Sequence, residues 1–123
     1  MDLKAFILCT AIIELLAGAG LFIAPGLLPE LSGATALSVT LARMYGAAAV
    51  AIGYYAFMVW HHYNSGSIQG FLKTFLVFHI GVTVAAYFGY SQGILIFIGV
   101  VVLHAILALL TLFYFIKTKS AGQ

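Results

Sequence analysis

Polar residues divide this chain into four long apolar runs with short clusters of breakers between them, at about residues 3–24, 37–60, 68–88 and 94–116. Each run approaches the ~20 residues that a helix needs to cross roughly 30 Å of hydrocarbon. Pro25-Gly26 ends the first run and opens a loop with Pro29, Glu30 and Ser32-Gly33. In that loop Leu27, Leu28 and Leu31 alternate with the breakers, which predicts that part of it lies at the membrane surface. His61-His62-Tyr63-Asn64-Ser65-Gly66-Ser67 reads as a polar loop and Gly89-Tyr90-Ser91-Gln92-Gly93 as a tight turn. The pattern predicts an all-α integral membrane protein, a single transmembrane domain over 1–123 folded as an antiparallel four-helix bundle.

Composition narrows the field further. The chain is 64% hydrophobic and 7% charged, against about 25% charged residues in a soluble domain. A formal charge of +2 without a basic stripe leaves nucleic acid out as a partner. The single cysteine, Cys9, allows no intramolecular disulfide and no CxxC, which excludes a thiol–disulfide oxidoreductase; it is expected as a small buried side chain. Glu14 interrupts the first run and apolar residues continue to Ala24, so that run reads as a retained helix and not a signal peptide.

The lysines give an orientation. With four spans, both termini and the middle loop share one side, where Lys4, Lys117 and Lys119 lie and Lys73 is close. The opposite loops hold Glu30 and no Lys or Arg. The positive-inside rule then predicts both termini in the cytoplasm, with the protein multi-pass in the cell (inner) membrane. Trp60, Tyr63, Tyr90 and Tyr114 fall near span ends, where amphipathic rings settle. Small residues, Ser38, Ala42 and Gly46, then Ala49 and Gly53, against Ala17, Gly18, Ala19 and Gly20, predict close approach of the first two helices.

Apart from Lys4 and Lys73 nearer the run ends, each run carries an ionisable residue in its interior: Glu14, Arg43, His79 and His104. An acid in mid-membrane costs roughly 2.5 kcal/mol or more unless it faces protein or water. At about 1.5 Å per residue, Glu14, His79 and His104 lie near mid-depth, and the long Arg43 side chain reaches towards them. Glu14 and Arg43 are expected as an ion pair that fixes the bundle. Helical spacing places His79, Thr83, Tyr87 and Tyr90 near one face, and Arg43, Ala47, Val50 and Tyr54 near another. These faces predict a pocket with Tyr54 and Tyr87 as hydroxyl donors and with phenylalanine walls drawn from Phe75, Phe78, Phe88 and Phe97. The plain alternative is a structural polar core, with the histidines donating to carbonyls or to Tyr and Thr hydroxyls.

Several chemistries fit these residue types. Glu14, His79 and His104 have the ligand types of a two-histidine, one-carboxylate site, but there is no HxxxH or HxxE spacing and no metal is assigned. His79 and His104, at similar depth, could ligate a haem axially. Glu14 with the histidines could relay protons or bind a cation, and either histidine could serve a membrane enzyme as general acid or base. No catalytic residue is assigned. The adjacent His61-His62 pair reads as solvated.

The stretches "ELLAGAGLFIAP" (Glu14 to Pro25) and "LARMYGAAAVAIGYYAF" resemble the opening helices of small DoxX-like four-helix membrane proteins. That resemblance implies a four-helix bundle and a link to quinone-associated redox complexes or chaperone-like roles. Glu14 alone also resembles the mid-helix acid of small multidrug resistance transporters, which implies proton-coupled efflux. Together these readings predict a membrane protein that binds a hydrophobic small molecule, quinone-like or lipid-like, or supports a membrane redox or assembly partner. Its expected ligand-binding residues are Glu14, Arg43, Tyr54, His79, Tyr87 and His104; no cofactor is assigned, a quinone is a candidate, and a homo-oligomer or a membrane partner protein are candidate assemblies.

Overall fold

The computed structural model describes residues 2–27, 35–93 and 98–121. Among them are four α-helices, one short 3-10 turn and no strand, so the all-α expectation holds. All four helices are long and apolar enough to cross a membrane. The chain divides into two units, Met1–Tyr63 and Asn64–Gln123, each containing two helices.

In the first unit, α1 runs Leu3–Ile23 and α2 runs Ala36–His61. Asp2 starts α1 by accepting the Ala5 N–H at 2.7 Å, and the Thr35 hydroxyl accepts the Ser38 N–H at the start of α2. Each thus satisfies a donor that the first turn leaves open. Beyond Ile23 the chain turns through a 3-10 segment, Pro25–Leu27.

The two helices pack backbone to backbone, and glycine makes this possible. A Cβ on Gly46 would stand 2.7 Å from both the Gly18 oxygen and the Phe22 nitrogen. One on Gly18 would stand 2.7 Å from the Val50 nitrogen, and one on Gly53 2.8 Å from the Leu15 nitrogen. Position falls along α1 as it rises along α2, so the pair is antiparallel. Small residues drive such contacts in lipid because close van der Waals packing replaces the hydrophobic effect there. The predicted approach of the first two helices is therefore present. Gly18, Gly46, Ala49 and Gly53 carry it, while among the described residues nothing beyond the helix's own backbone lies within 4 Å of a Cβ built on Gly20.

At the other end of this hairpin, the Lys4 ammonium lies 5.8 Å from the Trp60 ring centre and 5.5 Å from that of Tyr63. Partial burial and the Asp2 carboxylate raise the Tyr63 hydroxyl pKa above its ordinary value. A cation between two amphipathic rings is what a helix end at the membrane–water boundary presents.

In the second unit, α3 runs Ser65–Ser91 and α4 runs Gly99–Ala121. Asn64 caps α3 by accepting the Ser67 N–H at 3.0 Å. This is why the expected polar loop is shorter than its composition suggests: Ser65, Gly66 and Ser67 form the first helical turn, and His61 closes α2. The expected turn at 89–93 is likewise reduced, because α3 continues to Ser91 and only then reaches Gly93 at φ +70°. Buried side chains recur at helical spacing on α3 (Ile68, Phe71, Leu72, Phe75, His79) and on α4 (His104, Leu107, Ala108, Thr111, Tyr114). The Gln69 amide donates to the Thr118 hydroxyl at 2.8 Å, and His79 meets His104 further along, so these helices are also antiparallel.

Three expectations are corrected. Cys9 is exposed on α1, not buried. Tyr114 is 5% exposed and belongs to the buried stripe of α4, not to an interfacial belt. The fourth helix extends to Ala121, well past 116. The expected start of that helix at 94–97, the Phe97 wall and the loop readings at 28–34 lie outside the described residues.

Candidate functional site

The second hairpin brings two predicted residues into contact. His79 on α3 and His104 on α4 are 0% and 6% exposed, and their Nδ1 atoms lie 2.8 Å apart. Register explains the meeting. The stripe of α3 with period near three and a half ends its large residues at His79, and the stripe of α4 begins at His104. Phe75 sets its ring 4.3 Å from that of His79 at 75°, and Phe78 lies edge-on to both imidazoles, at 5.2 Å and 6.2 Å.

An Nδ1–Nδ1 hydrogen bond dictates the protonation pattern. One imidazole carries its proton on Nδ1 and donates; the other accepts there, so its own proton sits on Nε2. The closed pair can take one further proton, since two imidazolium rings would set two N–H groups against each other. Threonine hydroxyls on these two helices donate to backbone carbonyls. Thr83 donates to the His79 carbonyl at 2.7 Å and Thr111 to the Leu107 carbonyl at 2.6 Å, the back-bonding by which hydroxyls are satisfied inside a helix.

This spacing also bears on haem. Axial nitrogens on one iron stand about 4 Å apart, twice a metal–nitrogen bond of ~2 Å, whereas these nitrogens touch at 2.8 Å. No porphyrin fits between the rings as they stand.

Glu14 belongs to the first hairpin. It is 3% exposed and lies on the buried stripe of α1 with Phe6, Ile7, Thr10, Ala11 and Gly18. Its carboxylate acts electrostatically on the half-buried Tyr45 of α2. Tyr45 lies off the helical face through Arg43 and Tyr54, so the pattern that singles out that face passes it over. The discoverable signal was its place beside Gly46, the residue on which the helices close.

The remaining expected site residues lie elsewhere. Arg43 is exposed while Glu14 is buried, and no ion pair joins them among the described residues. Tyr54 and Tyr87 are 60% and 55% exposed, so neither places a hydroxyl inside its hairpin. Phe88 also points outward. His61 and His62 are exposed and set edge to face on one another, in keeping with solvated residues at a helix end.

No protein-family model, curated protein or solved structure matches this chain.

Proposed function

We propose that this small membrane protein binds a hydrophobic molecule with a hydrogen-bonding head, quinone-like or lipid-like, at the His79–His104 pair. The observation that carries the proposal is the buried 2.8 Å bond between the two imidazoles. Once parted, the pair offers one N–H donor and one nitrogen acceptor side by side. A quinol hydroxyl or a carboxylic acid, itself both donor and acceptor, satisfies the two at once. Phe75 and Phe78 supply apolar, aromatic walls against which a ring or chain packs. The resemblance of the first two helices to DoxX-like proteins supports a quinone as the occupant.

Identification of bound small molecules tests this. Protein purified in mild detergent is extracted and its contents analysed by mass spectrometry, with a visible spectrum and metal analysis alongside. A near-stoichiometric quinone or lipid is expected, lost by about tenfold or more in His79→Ala and His104→Ala, as for removal of a charge-assisted or well-placed hydrogen bond. Equal retention by both variants would overturn the assignment.

A second reading rests on Glu14. A carboxyl group 3% exposed on a membrane-length helix is a functional group by default. On that reading the protein exchanges a proton for a small molecule. Proteoliposomes should then show pH-dependent transport that vanishes in Glu14→Gln, and transport that persists in the variant rejects it.

A further inference from the structure

Arg43 lies inside the membrane-length helix α2, about two turns from its N-terminal end, and it is exposed. No described residue supplies it with an ion pair or hydrogen bond. A guanidinium exposed at such a position must find an anion or water. α2 is also the least buried of the four helices, so this surface meets the surroundings of the protein.

Depth identifies the anion. Trp60, stacked with Lys4, marks one boundary of the membrane on α2. Arg43 precedes it by about 25 Å of helix at about 1.5 Å per residue, which falls about 5 Å short of a hydrocarbon thickness of roughly 30 Å. A helical side chain leans towards the N-terminus of its helix, and the N-terminus of α2 lies at that far boundary. The arginine stem covers the missing few ångströms and brings its planar fork to the level of the lipid phosphates. Guanidinium binds phosphate through two parallel N–H donors.

We propose that Arg43 is a phospholipid-binding residue, holding a headgroup phosphate at the membrane face opposite Lys4. The contact fixes the depth of α2 from one end, while the Lys4–Trp60–Tyr63 cluster fixes it from the other. This assignment is independent of the histidine pair.

Native mass spectrometry of the whole protein, released from bilayers of phosphatidylglycerol and phosphatidylcholine, tests it. Wild type should retain a phospholipid that Arg43→Gln holds about tenfold less well, with Arg43→Lys intermediate because it keeps the charge but loses the fork. Circular dichroism identifies the Gln variant as folded; should it misfold, the Lys variant and the wild type carry the comparison. Equal retention by wild type and Arg43→Gln, or by wild type and Arg43→Lys where the Gln variant misfolds, would overturn the assignment. So would displacement of the lipid by excess inorganic phosphate, which indicates a free-anion site. A dimer that dissociates on Arg43→Gln with lipid unchanged points instead to an acidic group on a second copy and equally overturns it.

Discussion

Gly46→Ala is expected to destabilise the first hairpin by about 1–3 kcal/mol, the range for overpacking a tight contact. The added methyl would lie 2.7 Å from the Gly18 oxygen and the Phe22 nitrogen and 3.0 Å from the Leu21 Cβ. Two of those three atoms are backbone. They cannot swing aside as the end of a side chain can, so α1 and α2 must part along their length and lose dispersion contacts well beyond the mutated residue. The same substitution at Gly81, where among the described residues nothing beyond the helix's own backbone lies within 4 Å of a built Cβ, should act in the opposite sense. There it removes the glycine penalty in a helix interior and adds about 0.5–1 kcal/mol of stability. Unfolding of both variants in detergent, followed by helical circular dichroism, checks the pair of signs. Identical midpoints would mean that the close approach at Gly46 is not what holds α1 to α2.

The opposition between these two glycines was partly visible in the sequence. The spacing of Gly46, Ala49 and Gly53 marked a face on which another backbone could come near, whereas nothing in the sequence marked the open space at Gly81. The four helices were equally plain, since only membrane-length apolar runs interrupted by Pro, Gly and Asn suit this composition. Side-chain direction was harder to read. Spacing shows that Arg43 and Tyr54, or His79 and Tyr87, lie near one face of a helix, but not which part of that face points inward. In a soluble helix the polar residues would settle the matter by facing water. Lipid is as apolar as a protein interior, so Tyr54 and Tyr87 could sit outward without disturbing the pattern, and they do. His79 and His104 were legible as a pair by depth alone. Their direct bond was not, because it depends on the register of α3 against α4, and that register is set by many contacts such as Gln69 to Thr118.

The histidine pair separates structural from functional roles through a double-mutant cycle in leucine. His79→Leu or His104→Leu alone deprives the other imidazole of its Nδ1 partner in a buried setting, and each should cost about 1–3 kcal/mol. Replacing both removes the demand along with the supply, so the double variant should be less destabilised than the sum of the singles, by about 1 kcal/mol or more. Strict additivity would show that the 2.8 Å bond contributes nothing to the fold. Ligand retention follows a different rule, because any variant lacking either imidazole loses the donor or the acceptor that the head group needs. All three variants should therefore come out of purification empty, including the double variant that recovers stability. A folded double variant that still carries the wild-type molecule would assign the pair to packing alone. A folded, empty one would mean that two buried polar side chains, replaceable as far as stability is concerned, are present for what they bind.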